Sequence, residues 1–160
     1  MFNVQIVKHG NISKEILITI CNIKSIFGDY TLESQIKWLE DNLLNDDLHF
    51  LIYYKEKLVS YANIIKTELE VEGGKINVYG IGNVCVKEKY KGYGKILMSK
   101  VNEFIKHNNR SGILLCRKEL VNFYNKNGWK LLTGDNDGIN LMIFNLDFNY
   151  INAQYKGRLF

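Results

Sequence analysis

The chain has 160 residues, 46% of them apolar, and its 21 basic and 17 acidic residues give a formal net charge of +4 at pH 7. This length and apolar content suffice for one domain with a hydrophobic core and exclude a disordered chain. The charge excess is too small to indicate a nucleic-acid partner and favours a local anion-binding site.

The sequence contains no run of about 18 apolar residues, and its N-terminus lacks the basic start and apolar stretch of a secretory signal. We therefore expect a cytoplasmic protein with no membrane partner. No Cys-x-x-Cys or His-x-x-x-His spacing indicates a metal site. Three widely spaced cysteines in apolar surroundings are typical of reduced core thiols: Cys21, Cys85 and Cys116. Three histidines are isolated in the sequence and are expected to be ordinary surface or half-buried residues: His9, His49 and His107.

Apolar periodicity predicts eleven elements in the order β-α-α-β-β-β-α-β-α-β-β. The first six are a strand at 2–7, a helix at 14–26 capped by Ser13, a helix from about Thr31 to 45, and strands at 48–54, 58–65 and 76–86. The remaining five are a helix at 95–107, a short apolar strand at 112–116, a helix at 119–127, and a hairpin of strands 129–132 and 139–146. This order predicts an α/β fold around a mixed sheet, as one domain spanning 1–160. The pattern does not place the tail at 148–160.

The most informative stretch is residues 79–98, which are predicted to form a strand, a basic glycine turn and the start of a helix. Gly92 and Gly94 let the backbone approach a ligand closely, and the new helix points unsatisfied N–H groups at the same place. Lys89, Lys91 and Lys95 add positive charge. The stretch therefore predicts an anion-binding turn.

Two common nucleotide motifs do not match this turn. A P-loop requires glycine at position 89 and serine or threonine at position 96, where the chain has Lys89 and Ile96. A Rossmann fingerprint requires a third glycine where Leu97 stands. Both nucleotide-binding interpretations are excluded.

The pattern Lys89-x-x-Gly92-x-Gly94 after a strand instead resembles the acetyl-CoA signature of the GNAT superfamily of N-acetyltransferases, Gln/Arg-x-x-Gly-x-Gly/Ala. Lys89 departs from the usual Gln or Arg, whereas Lys91-Gly92-Tyr93-Gly94 resembles the Arg-Gly-x-Gly core with a basic-for-basic change. A second segment, residues 120–129, resembles the later family pattern in which Tyr124, Gly128 and Trp129 occupy matching positions.

Two residues of that second segment also depart from the family. Arg117 and Leu120 replace the commoner Asn and Ala, which puts a cofactor contact from position 117 in doubt. With the element order, the resemblance covers about residues 2–147. It implies a GNAT-like fold with a mostly antiparallel mixed sheet of about six or seven strands and about four helices.

The resemblance also implies a reaction. It implies transfer of an acetyl group from acetyl-CoA to a primary amine by direct attack in a ternary complex, with Tyr124 as general acid. The pantetheine arm would follow the backbone of Val84, Cys85 and Val86. The pyrophosphate would lie on the N–H groups of the glycine turn, namely Lys91, Gly92, Tyr93, Gly94 and Lys95. Glycines at 80 and 82 suggest a bulge or a close approach that would open this strand from its neighbour.

The general base and the acceptor stay open. Residues 79–86 contain no carboxylate, and three acids elsewhere remain candidates acting through water: Glu33, Glu68 and Glu70. In the family the acceptor pocket is usually built by the region of helix 33–44 and the loop before it. The candidate acceptor contacts are therefore Phe27, Asp29, Tyr30, Glu33 and Asn83, with Asp29 and Glu33 attracting a cationic amine.

Several alternatives accompany this interpretation. A small-molecule amine is favoured over a protein amine, and the 123–129 ending is similar to that of the aminoglycoside 2′-N-acetyltransferase branch. A non-catalytic acyl-CoA-binding module would not need Tyr124. A nucleic-acid-binding domain would use exposed aromatics such as Tyr53, Tyr54 and Tyr61, but no such motif is present, so no nucleic-acid partner is expected. A homodimer is left open.

Overall fold

The computed structural model describes residues 1–25, 28–89, 91–134, 139–146 and 153–160. Within these ranges seven strands form one sheet in the order β1-β2-β3-β4-β5-β7-β6, flanked by four α-helices. The strands are β1 (Phe2–Lys8), β2 (Leu48–Tyr54), β3 (Lys57–Val71), β4 (Gly74–Val86), β5 (Ser111–Arg117), β6 (Lys130–Gly134) and β7 (Ile139–Phe144). The helices are α1 (Lys14–Lys24), α2 (Leu32–Asn42), α3 (Tyr93–His107) and α4 (Val121–Lys126). Only β4 and β5 pair in parallel, which confirms the predicted mixed, mostly antiparallel sheet.

Side-chain caps begin the first two helices. The Ser13 hydroxyl accepts a hydrogen bond from the Ile16 N–H at 3.3 Å, and the Thr31 hydroxyl accepts one from the Ser34 N–H at 3.1 Å. Each cap satisfies one N–H group that an α-helix leaves without an intrahelical partner. Both predicted helix starts are confirmed.

β3 and α4 are among the elements whose lengths differ from the prediction. β3 runs to Val71 rather than to position 65, because its charged second half keeps pairing with β4 as far as the turn at Gly73. α4 is shorter than predicted, since a 3₁₀ turn at Lys118–Leu120 precedes it. Its end is as predicted: Gly128 has φ +85°, and the Trp129 N–H donates to the Tyr124 carbonyl at 3.1 Å.

The core lies on both faces of the sheet. α3 and α4 cover one face, where the buried residues include Ile81, Leu97, Val101, Tyr124 and Trp129. α1 and α2 cover the opposite face, where they include Leu17, Ile20, Leu39, Tyr61 and Cys85. All three cysteines are buried and unbridged, as predicted for core thiols. Among the described residues no helix has the length and apolar content needed to cross a bilayer.

The end of the chain, residues 153–160, packs on the α1–α2 face of the sheet. Gln154 forms an isolated antiparallel bridge with Glu70. The Arg158 guanidinium donates to both carboxylate oxygens of the buried Asp47 at 2.6 Å. A Cβ atom added to Gly82 would collide with the backbone of Phe160. The predicted close approach to the interior glycines is therefore confirmed, whereas residues 147–152 lie outside the described part of the chain.

Two histidines that are isolated in the sequence lie in contact. The His49 Nδ1 atom is 2.9 Å from the Tyr61 hydroxyl, and its Nε2 atom is 2.9 Å from Nδ1 of His9. Pairing of β1, β2 and β3 brings them together, and His49 is fully buried. Burial lowers the pKa of His49 to about 3, with the neighbouring His9 and Lys24 adding to the shift. His9 is half-buried, as expected, but the expectation of a surface or half-buried residue was wrong for His49.

Stability is expected to decline in mild acid because of His49. Its pKa is about 6.5 when unfolded and about 3 when folded, so between these values the unfolded chain binds the extra proton. The full contribution of neutral His49 to the free energy of unfolding is present above pH 6.5, and it is lost as the pH falls. At pH 5 the loss is about 2 kcal/mol, measurable by chemical denaturation at pH 7 and pH 5.

The His49→Gln variant should lose most of this difference between the two pH values, even if it is less stable at both. The matched control is His107→Gln, since His107 is exposed at the end of α3 and its loss should leave the pH dependence unchanged. Equal pH dependence in the His49→Gln variant and the original protein would contradict this assignment.

Candidate active site

In the centre of the sheet β4 and β5 separate and leave a wedge-shaped gap, called the wedge below. The two strands pair only where Val78–Gly80 faces Ser111–Ile113. Beyond that point β4 stays with β3, whereas β5 continues along β7. Residues 81–86 therefore diverge from residues 114–117, and among the described residues no strand pairs with the β5-facing backbone edge of β4 there.

A β-bulge accompanies this divergence. Tyr61 pairs with Cys85 and Asn63 pairs with Gly82, so two residues of β4, Asn83 and Val84, lie opposite one residue of β3. Asn83 has φ +50°, and its amide donates to the Asn63 side-chain oxygen at 2.6 Å. A bulge bends its strand and increases the local twist. The predicted bulge near Gly82 is confirmed one residue further along.

The three strand residues expected beside a pantetheine arm follow this bulge. Val84 packs against the α3–α4 core, whereas Cys85 points into the α1–α2 core and is 2% exposed. Burial raises the pKa of the Cys85 thiol to about 12. Since a thiolate is the nucleophilic form, Cys85 is an inert core residue and the strand contributes its backbone to the wedge.

One face of β5 is open at the wedge. Leu114 and Cys116 are buried on the α3–α4 side, but Leu115, which points the other way, is 41% exposed in the middle of the sheet. Arg117 is exposed on the same face. In the described part of the chain, the exposed face of β5 beside the unpaired edge of β4 is therefore apolar and carries one positive charge.

The glycine turn starts α3 at the mouth of this wedge. Gly92 is the N-cap, with φ +77°, and no side chain caps the helix. A Cβ added at Gly92 would meet no atom within 4 Å, whereas one added at Gly94 would lie 3.2 Å from Phe123. Gly92 thus supplies a left-handed backbone beside open space, and Gly94 lets α3 pack closely on α4. The N–H groups of residues 93–95 have no intrahelical partner.

Positive charge surrounds these N–H groups. Lys89, Lys91 and Lys95 are all exposed, and the first turn of α3 contains no acidic residue. Tyr90 lies outside the described residues. Unpartnered N–H groups at the positive end of a helix, together with lysines, fit a phosphate or pyrophosphate group.

Tyr124 lies on α4 in the core cluster that also contains Ile81 and Cys116. It is 5% exposed, and the Phe123 and Trp129 rings pack edge-on against it. Its hydroxyl makes no hydrogen bond to a described residue. Burial, with a smaller contribution from Cys116, raises the pKa of Tyr124 above its usual value, so the phenol keeps its proton at neutral pH.

On the α1–α2 side, a cavity of about 580 Å³ opens between the two helices and the bulge of β4. Its lining residues are Lys24, Tyr30, Ser34, Gln35, Trp38 and Asn83. Tyr30 and Asn83 were predicted to contact an acceptor, and the structure brings them together. Asp29 and Glu33 are exposed and do not line the cavity, and Phe27 lies outside the described residues.

The sequence did not single out Lys24, Ser34, Gln35 or Trp38. One signal was present, because Lys24 falls four residues after Ile20 on the buried stripe of α1, where an apolar residue is expected. The four lining residues of α1 and α2 meet only because these helices pack on the same face of the sheet.

Two of the three candidate bases lie far from the wedge. Glu68 and Glu70 form ion pairs with Lys75 and Lys156, near the hairpin turn between β3 and β4. In the β3–β4 register, Glu70 lies opposite Lys75. Lys75 is six residues from Ile81 along β4, which corresponds to roughly 20 Å. Neither glutamate is placed to take a proton at the wedge.

The comparisons with known proteins agree with this geometry. The acetyltransferase (GNAT) domain family matches residues 14–132. Protein ElaA of Escherichia coli (strain K12) is 33% identical over 105 residues, which are 62% of this chain and 65% of ElaA. The match therefore spans slightly less than two thirds of that curated relative.

Solved structures share the fold. The crystal structure of Escherichia coli ElaA has a TM-score of 0.67 and 25% identity, covering 90% of this chain and 99% of that one. An acyl-CoA N-acyltransferase from Pseudomonas aeruginosa has a TM-score of 0.66 and 14% identity, covering 90% and 99%. The PaiA N-acetyltransferase of Thermoplasma acidophilum, solved with coenzyme A, has a TM-score of 0.58 and 19% identity, covering 89% and 98%. The last two likenesses concern the fold alone.

Proposed function

Because the chain belongs to the GNAT acetyltransferase family, we propose that it transfers an acetyl group from acetyl-CoA to a primary amine of a small molecule. The amine attacks directly in a ternary complex. The observation that carries this proposal is the wedge: the described part of β4 has an unpaired edge there, and the glycine turn that follows β4 begins α3.

The chain's own residues fit the cosubstrate. The N–H groups of residues 93–95 and the flanking lysines Lys91 and Lys95 would hold the pyrophosphate, and the backbone of Val84–Val86 would pair with the pantetheine arm. Bound acetyl-CoA supplies an activated thioester. The exposed face of β5 at Leu115 leaves room beside the unpaired edge of β4 for the acetyl group of acetyl-CoA. Holding both reactants in this geometry lowers the entropic part of the barrier.

Tyr124 acts as the general acid in this proposal. Attack by the amine nitrogen forms the amide C–N bond and breaks the C–S bond, and the phenol gives its proton to the departing thiolate sulfur. The Tyr124 phenolate regains a proton from water, and the amine nitrogen loses one proton. No carboxylate lines the acceptor cavity among the described residues, so this proton leaves through water.

The geometry also ranks the alternatives. Tyr124 stands at the position of the family's acid, which a purely acyl-CoA-binding module would not need. A cavity bounded by two helices suits a small molecule better than a protein surface. A nucleic-acid-binding domain would use exposed aromatics, but Tyr61, one of the three candidates, is fully buried.

Acetyl-CoA is expected to stabilise the protein against heat. A ligand at 100 times its dissociation constant adds about 2.7 kcal/mol to the free energy of unfolding. For a chain of this size that raises Tm by roughly 5–10 °C, measurable by differential scanning fluorimetry. No shift at saturating acetyl-CoA would overturn the cosubstrate assignment, and a shift with RNA alone would support the nucleic-acid alternative.

Activity is tested by release of the free CoA thiol with a panel of small primary amines, with a lysine-containing peptide as the protein-like acceptor. We expect amine-dependent release with at least one small molecule. Binding of acetyl-CoA without release for any acceptor would favour the non-catalytic module, and release with the peptide alone would move the acceptor to a protein amine.

A further inference from the structure

The acceptor cavity contains a buried cation. Lys24, the last residue of α1, is 6% exposed and lines the cavity. Among the described residues it forms no ion pair and no hydrogen bond. Within the described ranges its ammonium nitrogen lies over the Trp38 ring, 4.7 Å from the ring centroid.

This contact does not balance the charge. The attraction of a cation to an aromatic ring is weaker than the cost of burying an ammonium group without an anion. The ammonium group interacts electrostatically with the Cys21 and Cys85 thiols, but burial raises the pKa of both, so they carry no charge at neutral pH. Burial correspondingly lowers the pKa of Lys24.

The acidic residues of the loop before α2 and of its first turn do not neutralise the charge of Lys24. Asp29 and Glu33 are exposed, and neither contributes to the electrostatic environment of the ammonium group. The part of the chain that the structure describes therefore provides an electropositive cavity. Attraction of a cationic amine by Asp29 and Glu33, expected from the sequence, is not supported by their positions.

A second side chain in the cavity is incompletely bonded. The Gln35 amide nitrogen donates to the Tyr30 carbonyl at 3.3 Å, which fixes the orientation of the amide. Its Oε1 atom is buried and has no hydrogen-bond partner among the described residues, and Gln35 is 7% exposed. A buried acceptor without a donor is destabilising, so this oxygen suits an N–H group of a ligand.

We propose that the acceptor is a small primary amine that also carries a carboxylate, with the carboxylate bound by Lys24 and an N–H group bound by Gln35 Oε1. The proposal rests on the proposed acetyltransferase function and adds the class of acceptor. An amino acid meets both requirements, since its carboxylate supplies the anion that Lys24 lacks and its amine supplies donors. Trp38 and Tyr30 add aromatic walls for an apolar side chain.

Matched pairs of amines test this assignment: phenylalanine against phenethylamine, and lysine against cadaverine. Each pair differs only by the carboxylate. Affinity for the CoA-bound protein is measured by calorimetry, and turnover by thiol release. We expect the carboxylate member of at least one pair to bind roughly 10- to 100-fold more tightly, the effect of one charged hydrogen bond. A preference for the decarboxylated members, or no binding by any member, overturns the proposal.

The Lys24→Met variant keeps a long apolar side chain and removes the charge. We expect it to lose the preference for the carboxylate member while its Tm stays equal or rises, because an unpaired buried charge is removed. Lys37→Met is the matched control, since Lys37 is exposed on α2 and pairs with Asp41. An unchanged preference in the Lys24→Met variant overturns the role of Lys24.

The two proposals fail in distinguishable ways. If acetyl-CoA does not raise Tm but phenylalanine still binds through Lys24, the cosubstrate assignment fails and the anion site stands. If acetyl-CoA raises Tm in both the original protein and the Lys24→Met variant while the carboxylate makes no difference, the acceptor class fails and the cosubstrate assignment stands.

Discussion

Replacing Tyr124 with phenylalanine is expected to lower kcat by about two orders of magnitude or more, because general-acid catalysis contributes 10²–10⁴-fold. The affinity for acetyl-CoA should hardly change, since the ring remains in the core between Phe123 and Trp129. Stability should also be retained, because the hydroxyl has no hydrogen-bond partner among the described residues. Steady-state kinetics by thiol release, with Tm as a folding check, measure the effect.

The matched control is Tyr79→Phe. Tyr79 is a buried tyrosine of the same core cluster, 6% exposed, with its ring packed against Phe104. Loss of this hydroxyl should leave kcat unchanged. A kcat for Tyr124→Phe equal to that of the control would remove Tyr124 as the acid and leave it a packing residue.

Replacing Gly92 with valine is expected to abolish measurable acetyl-CoA binding at concentrations that saturate the original protein. Gly92 has φ +77°, a conformation that costs an ordinary residue about 1–2 kcal/mol and a β-branched residue more. A side chain there would also fill the open space in front of the helix N-terminus, where a phosphate would lie. Calorimetric titration with acetyl-CoA measures the loss of affinity.

Gly73→Val separates strain from ligand binding. Gly73 lies in the turn between β3 and β4, has φ +89°, and also has nothing within 4 Å of an added Cβ. Both valine variants should therefore lose a similar free energy of unfolding, but the Gly73→Val variant should still bind acetyl-CoA. Equal acetyl-CoA affinities for the two variants would show that the glycine turn of α3 is not the phosphate site.

Much of the fold was predictable because its signals are local. Ser13 and Thr31 cap the helices that they precede, and Gly128 ends α4, since capping needs only a few neighbouring residues. The length of β3 was underestimated because its second half is charged and polar. Its strand conformation is held by pairing with β4 across the hairpin.

The site was predictable to the same extent. The glycine turn and Tyr124 belong to short segments whose spacing is visible in the chain. Residues whose roles depend on contacts between distant elements were missed. His49 has an unremarkable sequence environment, yet three paired strands place it between His9 and Tyr61.

The sequence by itself determined the element order, the basic glycine turn before α3 and the resemblance to a family, because each rests on residues close together in the chain. Only the tertiary structure decided how β4 leaves β5, that residues 153–160 pack over Gly80 and Gly82, and that Lys24 faces a cavity with no described anion. The physical reason is that burial and strand pairing depend on surfaces from distant segments. The role of a charged side chain on an apolar stripe can therefore be assigned only when its neighbours in space are known.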